Sequence, residues 1–97
     1  SKVELLIKNS QILQISFRVQ GSALSLACSS LMCAQIKGMC LSESRKLGER
    51  VIIYVEKGID FSLPGDLIVY QTISRFPDRH DCSLLSWRAF MKALPMP

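Results

Sequence analysis

With 97 residues, a net charge of +4 and 48% hydrophobic residues, the chain has material for one core and is too short for two. No apolar run approaches the ~20 residues that cross a bilayer, and no stretch has the form of a signal peptide. The twelve basic residues are interspersed with eight acids, which excludes a charged tail or a nucleic-acid-binding arm and leaves a mild attraction for acidic partners. The chain begins at Ser1 without a methionine, so residues 1–97 are read as a single domain excised from a longer protein.

In chain order, "VELLIK" (3–8) alternates, with Val3, Leu5 and Ile7 on one face. "ILQISFRV" (12–19) alternates as well, with Leu13, Ile15, Phe17 and Val19 facing one way, and the intervening "NSQ" is a turn signal. The two segments predict a β-hairpin. After Gly21, Ser22 is a suitable N-cap and Gly38 a suitable left-handed stop, so residues 23–37 predict a helix. Its stripe of Leu24, Ala27, Cys28 and Leu31 is widened by Leu26, Met32, Cys33 and Ile36. A helix this apolar predicts cover on two sides.

Residues 41–50 are polar and read as a surface connection or a short helix. "VIIYV" (51–55) is an unbroken β-branched run and predicts a strand buried on both faces. "IDFSL" (59–63) predicts a short edge strand, Pro64-Gly65 a turn, and "DLIVYQTIS" (66–74) another strand, ended by Pro77. The final segment, capped at Ser83 and stopped by Pro95, predicts a helix with a Leu84, Trp87, Met91 and Leu94 stripe and with Arg88, Lys92 and Ser86 toward solvent. Together these predict an α+β fold: a two-layer sandwich with an antiparallel sheet of four to five strands, two helices packed on one face, and the order ββαβ(β)βα.

The chemistry-bearing stretch is "FPDRHDCSLL" (76–85), which holds His80, the one histidine of the chain. His80-Asp81 has the form of a metal-binding pair, but one histidine cannot complete such a centre. A zinc site would need His80 and Cys82 joined by Cys40 or Cys33, without the paired Cys-x-x-Cys spacing of structural zinc. A thiol nucleophile at Cys82 or Cys40 with His80 as base lacks any glycine-rich stretch to form an oxyanion pocket. The plainer reading is a helix-entry loop with its acids at the positive end of the helix. Cys28 and Cys33 lie about 140° apart around a helix and cannot bridge. The cysteines therefore read as free thiols, which places the protein inside the cell, in cytoplasm or nucleus.

From these residues the function expected is a non-catalytic interaction or assembly module, not an enzyme. It would self-associate or dock a protein through an apolar helical surface made of Met32, Ile36, Trp87, Phe90 and Met91. No cofactor, metal or small-molecule substrate is expected. One alternative is a basic nucleic-acid-binding domain using Arg45, Lys46, Arg75 and Arg79. Another is a small zinc- or thiol-dependent protein built on His80 and Cys82. Abundant Ser and Leu beside a single Asn and a single Thr add a viral source as a further expectation.

Overall fold

The structure, a computed structural model, describes residues 2–19, 22–58, 63 and 65–95, apart from the side chains of Asp66 and Ile68. Strands β1 (Lys2–Lys8) and β2 (Gln11–Arg18) form an antiparallel hairpin. Asn9 and Ser10 at its tip both have positive φ, 53° and 61°, as a two-residue turn matching strand twist requires. Helices α1 (Ala23–Ile36) and α2 (Leu41–Lys57) follow, then a 3₁₀ stretch (Gly65–Val69) running into α3 (Tyr70–Ile73), and a 3₁₀ turn (Pro77–Arg79) opening α4 (His80–Ala93).

The hairpin and α1 agree with the sequence pattern. Ser22 Oγ accepts the Ser25 N–H at 3.3 Å, which satisfies one of the free donors at the helix start. In β2 the expected alternation holds for Ile15 and Phe17 and fails at Leu13, which is 41% exposed while Ile12 is fully buried. The cause is a bulge. Leu6 pairs with Gln14 but Ile7 pairs with Ile12, so Leu13 is the extra residue and the parity of the strand changes across it.

The rest of the predicted sheet is overturned. Among the described residues the sheet has two strands, not four to five. Residues 51–55 are the second half of α2. Their β-branched side chains favour a strand locally, yet Ser44, Leu47, Gly48, Val51, Tyr54 and Val55 fall at helical spacing and form the buried face. Tertiary burial along that face outweighs a propensity difference of a few tenths of a kcal/mol per residue. The segment 66–74 is likewise helical, burying Leu67, Tyr70 and Ile73 at intervals of three. The predicted edge strand at 59–63 lies outside the described residues except for Leu63.

Helix α4 starts at His80, three residues before the expected cap, because Pro77 opens a 3₁₀ turn that feeds it directly. It is the central element, packing against α1, α2 and β1. Gly48 on α2 allows its close approach: a Cβ there would stand 2.5 Å from Met91 Sδ and 3.7 Å from Phe90 Cδ2. Buried serines keep the helices close elsewhere, with Ser25 and Ser29 on α1 and Ser83 and Ser86 on α4. Ser86 is thus a core residue rather than a solvent-facing one.

The expected docking surface is interior. Met32, Ile36, Trp87 and Phe90 are fully buried, and Met91 is half-buried against α2. The apolar excess of α1 and α4 is absorbed by packing the helices on one another and on the hairpin. One consequence of the local geometry can be measured. Gly58 closes α2 at φ 68° with its N–H on the Tyr54 carbonyl, and an L-residue there meets a left-handed penalty. Gly58→Ala lowers stability by about 1 kcal/mol in chemical denaturation, with no change in the denaturant slope.

Candidate functional site

The four cysteines are free thiols. Cys28 sits on the buried face of α1 and Cys82 in the first turn of α4. The two helices pack along each other, close enough for charge on Cys82 to oppose ionisation of Cys28. Burial is the main influence pushing the Cys28 thiol above its ordinary value, while the neighbouring Tyr70 hydroxyl works in the other direction.

Tyr70 is held in place by hydrogen bonds. Trp87 Nε1 donates to Tyr70 Oη at 2.8 Å, and that hydroxyl donates to the Ser83 carbonyl at 3.4 Å. Burial first, then the adjacent Cys28, push the phenol well above its usual range. It therefore stays protonated and serves as a fixed donor. Cys82, next to Ser83, is half-buried. The seam thus carries a sheltered thiol on α1 and a thiol that solvent can reach on α4, with the Tyr70 phenol spent on the Ser83 carbonyl.

The flanking residues are engaged elsewhere. His80 Nε2 donates to the Ser74 carbonyl at 3.0 Å, tying the start of α4 to the end of α3. Asp81 accepts from Arg88 Nη1 at 3.1 Å, and Arg88 Nη2 reaches Glu56 of α2 at 3.4 Å. His80 is therefore a structural side chain here, and a His80-Cys82 acid-base pair is not what the geometry provides.

The other two thiols lie in different surroundings. Cys33 is half-buried on α1, with its thiol raised by burial. Cys40 is the N-cap residue of α2. It is set there by backbone bonds between the hairpin tip and the α1–α2 connection, including Leu41 N–H to Ser10 O at 2.8 Å and Ile12 N–H to Met39 O at 2.9 Å. The Ser42 hydroxyl and then the Glu43 and Ser42 backbone N–H groups hold the Cys40 thiol below its ordinary value. It lines a cleft of about 480 Å³ with Ser10, Arg45, Lys46 and Pro95. Because the thiolate is the reacting species, Cys40 is alkylated by iodoacetamide faster than Cys28 and Cys33. The rise of its rate with pH is centred below that of an ordinary thiol, as peptide mapping of a pH series will read.

The expected basic site is not assembled as one patch. Arg45 Nη2 donates to the Pro95 carbonyl at 2.6 Å and Lys46 lies 3.8 Å from Glu43 on the same helix. Arg79 stacks 4.9 Å over the Phe76 ring, and Arg75 is exposed in the α3–α4 connection. Sequence reasoning missed that the helices bearing Cys28 and Cys82 pack on each other, and the part played by Tyr70. Cys28 reads as an ordinary core thiol, and Tyr70 was assigned to a strand.

The profile described as NifU-like N terminal domain matches residues 2–96. The chain belongs to the NifU-like N-terminal domain family. This domain is 31% identical over 80 residues, 80% of its length, to the zinc-dependent sulfurtransferase SufU of Bacillus subtilis (strain 168), of which it spans 54%. It thus covers about half the length of that relative. Its fold matches at a TM-score of 0.87 and 25% identity a crystal structure from thermophilic Fervidobacterium islandicum AW-1, described as an iron-sulfur cluster assembly scaffold protein for the SUF system, with 96% of this chain and 69% of that one covered. A second crystal structure, of a hypothetical protein, matches at 0.83 and 26%, covering 95% of this chain and 69% of that one.

Family membership overturns the expected generic, non-catalytic interaction module, and with it the expectation that the protein is not an enzyme. The viral and nucleic-acid-binding expectations fall too, since the relatives are bacterial proteins of sulfur transfer and cluster assembly. The zinc in the name of the SufU relative would call for three or four converging ligands. Among the described residues no three of His, Cys, Asp and Glu converge where one ion would touch them all. The side chains at the seam therefore do not fit a zinc ion.

Proposed function

We propose that this domain accepts sulfur on a cysteine thiol and passes it into iron-sulfur cluster assembly, with Cys82 as the acceptor. Membership of the NifU-like family and similarity to a sulfurtransferase support the chemistry. The observation that carries the residue assignment is the α1–α4 seam, where Cys82 in the first turn of α4 is half-buried and within reach of solvent while Cys28 on α1 is buried. In the transfer, the Cys82 thiolate attacks the terminal sulfur of a donor persulfide. A new sulfur–sulfur bond forms on Cys82, the donor's sulfur–sulfur bond breaks, and the donor leaves as its thiolate, with no net oxidation.

Sulfur transfer is favoured over scaffolding by a single copy of the chain. A cluster is held by several thiolates, usually four, and no such set gathers among the described residues. The donor and the recipient are proteins of the assembly pathway, so a protein partner is retained from the sequence analysis, with its docking place reassigned to the surroundings of Cys82. No described helix is long and apolar enough to cross a membrane, and free thiols suit a reducing cytoplasm.

A second reading places the acceptor at Cys40, on the strength of its lowered thiol and the adjoining cleft. Loading the full chain with inorganic polysulfide, capping with an alkylating agent and mapping peptides by mass spectrometry separates the two. One added sulfur on the Cys82 peptide is the expected result. Sulfur confined to Cys40 selects the second reading, and none on any cysteine overturns both.

A further inference from the structure

We infer that this chain carries out its thiol chemistry without zinc, because among the described residues no three ligand-type side chains converge around Cys82. This goes beyond the sulfur-transfer reading and does not depend on it: a zinc-free seam is a statement about ligands, whichever thiol accepts sulfur. It also separates the chain from its relative, whose name makes it zinc-dependent.

Structural zinc takes four protein ligands, and catalytic zinc takes three with one open position. At the seam only Cys28 and Cys82 supply sulfur. Cys28 is buried, with a thiol made harder to ionise by that burial, whereas ligation requires the thiolate. His80, two residues before Cys82, is turned toward the Ser74 carbonyl by its Nε2 bond and Asp81 toward Arg88, and among the described residues neither joins the thiols in a group of three that could hold one ion. Cys33 lies five residues beyond Cys28 on α1, about 140° around the helix, and Cys40 is placed by the hairpin tip beside Ser42. Two sulfurs are one ligand short of even an open zinc site.

The same bonds do the ordering that a metal would otherwise do. The Trp87–Tyr70–Ser83 chain fixes α4 to α3, His80 fixes its first turn to Ser74, and Arg88 ties it to Glu56 of α2. The start of α4 therefore has its position set by protein groups alone.

The test uses the full chain expressed in zinc-supplemented medium and desalted without chelator. Zinc is counted by mass spectrometry, and cobalt(II) is titrated in while the thiolate charge-transfer absorption is followed. Thermal melts are recorded with and without a strong chelator. The expected result is fewer than about one zinc per ten chains, against near-unit occupancy for a true site, no cobalt–thiolate band, and a melting temperature unmoved by chelator. One zinc per chain, or a chelator-induced fall in melting temperature, overturns the inference, and Cys28→Ser and Cys82→Ser then report whether the seam holds the ion. Polysulfide loading of the chelator-treated sample keeps the two claims apart. Zinc with sulfur on Cys82 sinks this inference alone, and a zinc-free chain that takes up no sulfur sinks the proposed function alone.

Discussion

Trp87→Ala lowers the free energy of unfolding by about 3–5 kcal/mol, the range for truncating a fully buried large aromatic. Trp87 has no solvent exposure and meets Phe90 edge-on, with ring centroids 6.2 Å apart, so the cavity opens inside the α4 core. Its indole also donates to Tyr70 Oη, and truncation leaves that oxygen without its donor. Against a total of about 5–15 kcal/mol for a domain, the variant has little stability left. Urea denaturation measures it. Trp87→Phe separates the two causes, since it keeps most of the packing and loses the donor, at a cost of about 1–3 kcal/mol. Combining it with Tyr70→Phe costs less than the sum of the two single changes, because each removes the other's partner. Strict additivity would show that the bond contributes nothing.

The second large effect falls on activity. Cys82→Ser reduces sulfur loading from polysulfide by about 100-fold or more, as expected when the atom that attacks is replaced by a hydroxyl that stays protonated. Stability changes by less than about 1 kcal/mol, because the site is half-exposed and the replacement nearly isosteric. Cys28→Ser gives the opposite pattern. It puts a hydroxyl into a buried thiol's place, costs about 1–2 kcal/mol, and leaves sulfur on Cys82. The paired measurement is peptide mapping after loading, beside a denaturation curve for each variant. Full loading of Cys82→Ser with sulfur on Cys40 would move the acceptor to the cleft at the start of α2.

How much of this was legible in the residues depended on the range of the forces involved. The hairpin was readable because alternation and its turn residues are local, and α1 because Ser22 and Gly38 punctuate a helical segment. Leu13 was misassigned because a bulge is decided by the pairing of two strands, and one strand's alternation carries no sign of it. For α2, the run "VIIYV" gave a strand by local preference. The helical spacing of Leu47, Val51, Tyr54 and Val55 was present in the same residues, but it outweighs that preference only when α4 is there to bury it.

The site followed the same division. The stretch containing His80, Asp81 and Cys82 was conspicuous by composition, yet composition could not say that His80 bonds to Ser74, that Asp81 pairs with Arg88, or that the helix bearing Cys82 packs on the one bearing Cys28. By itself the sequence determined the hairpin, the first helix and the amphipathic last helix, because each depends on neighbours a few residues away. The tertiary structure alone decided that the apolar excess is core rather than interface, and which thiols are sheltered, because both depend on helices distant in sequence packing against α4.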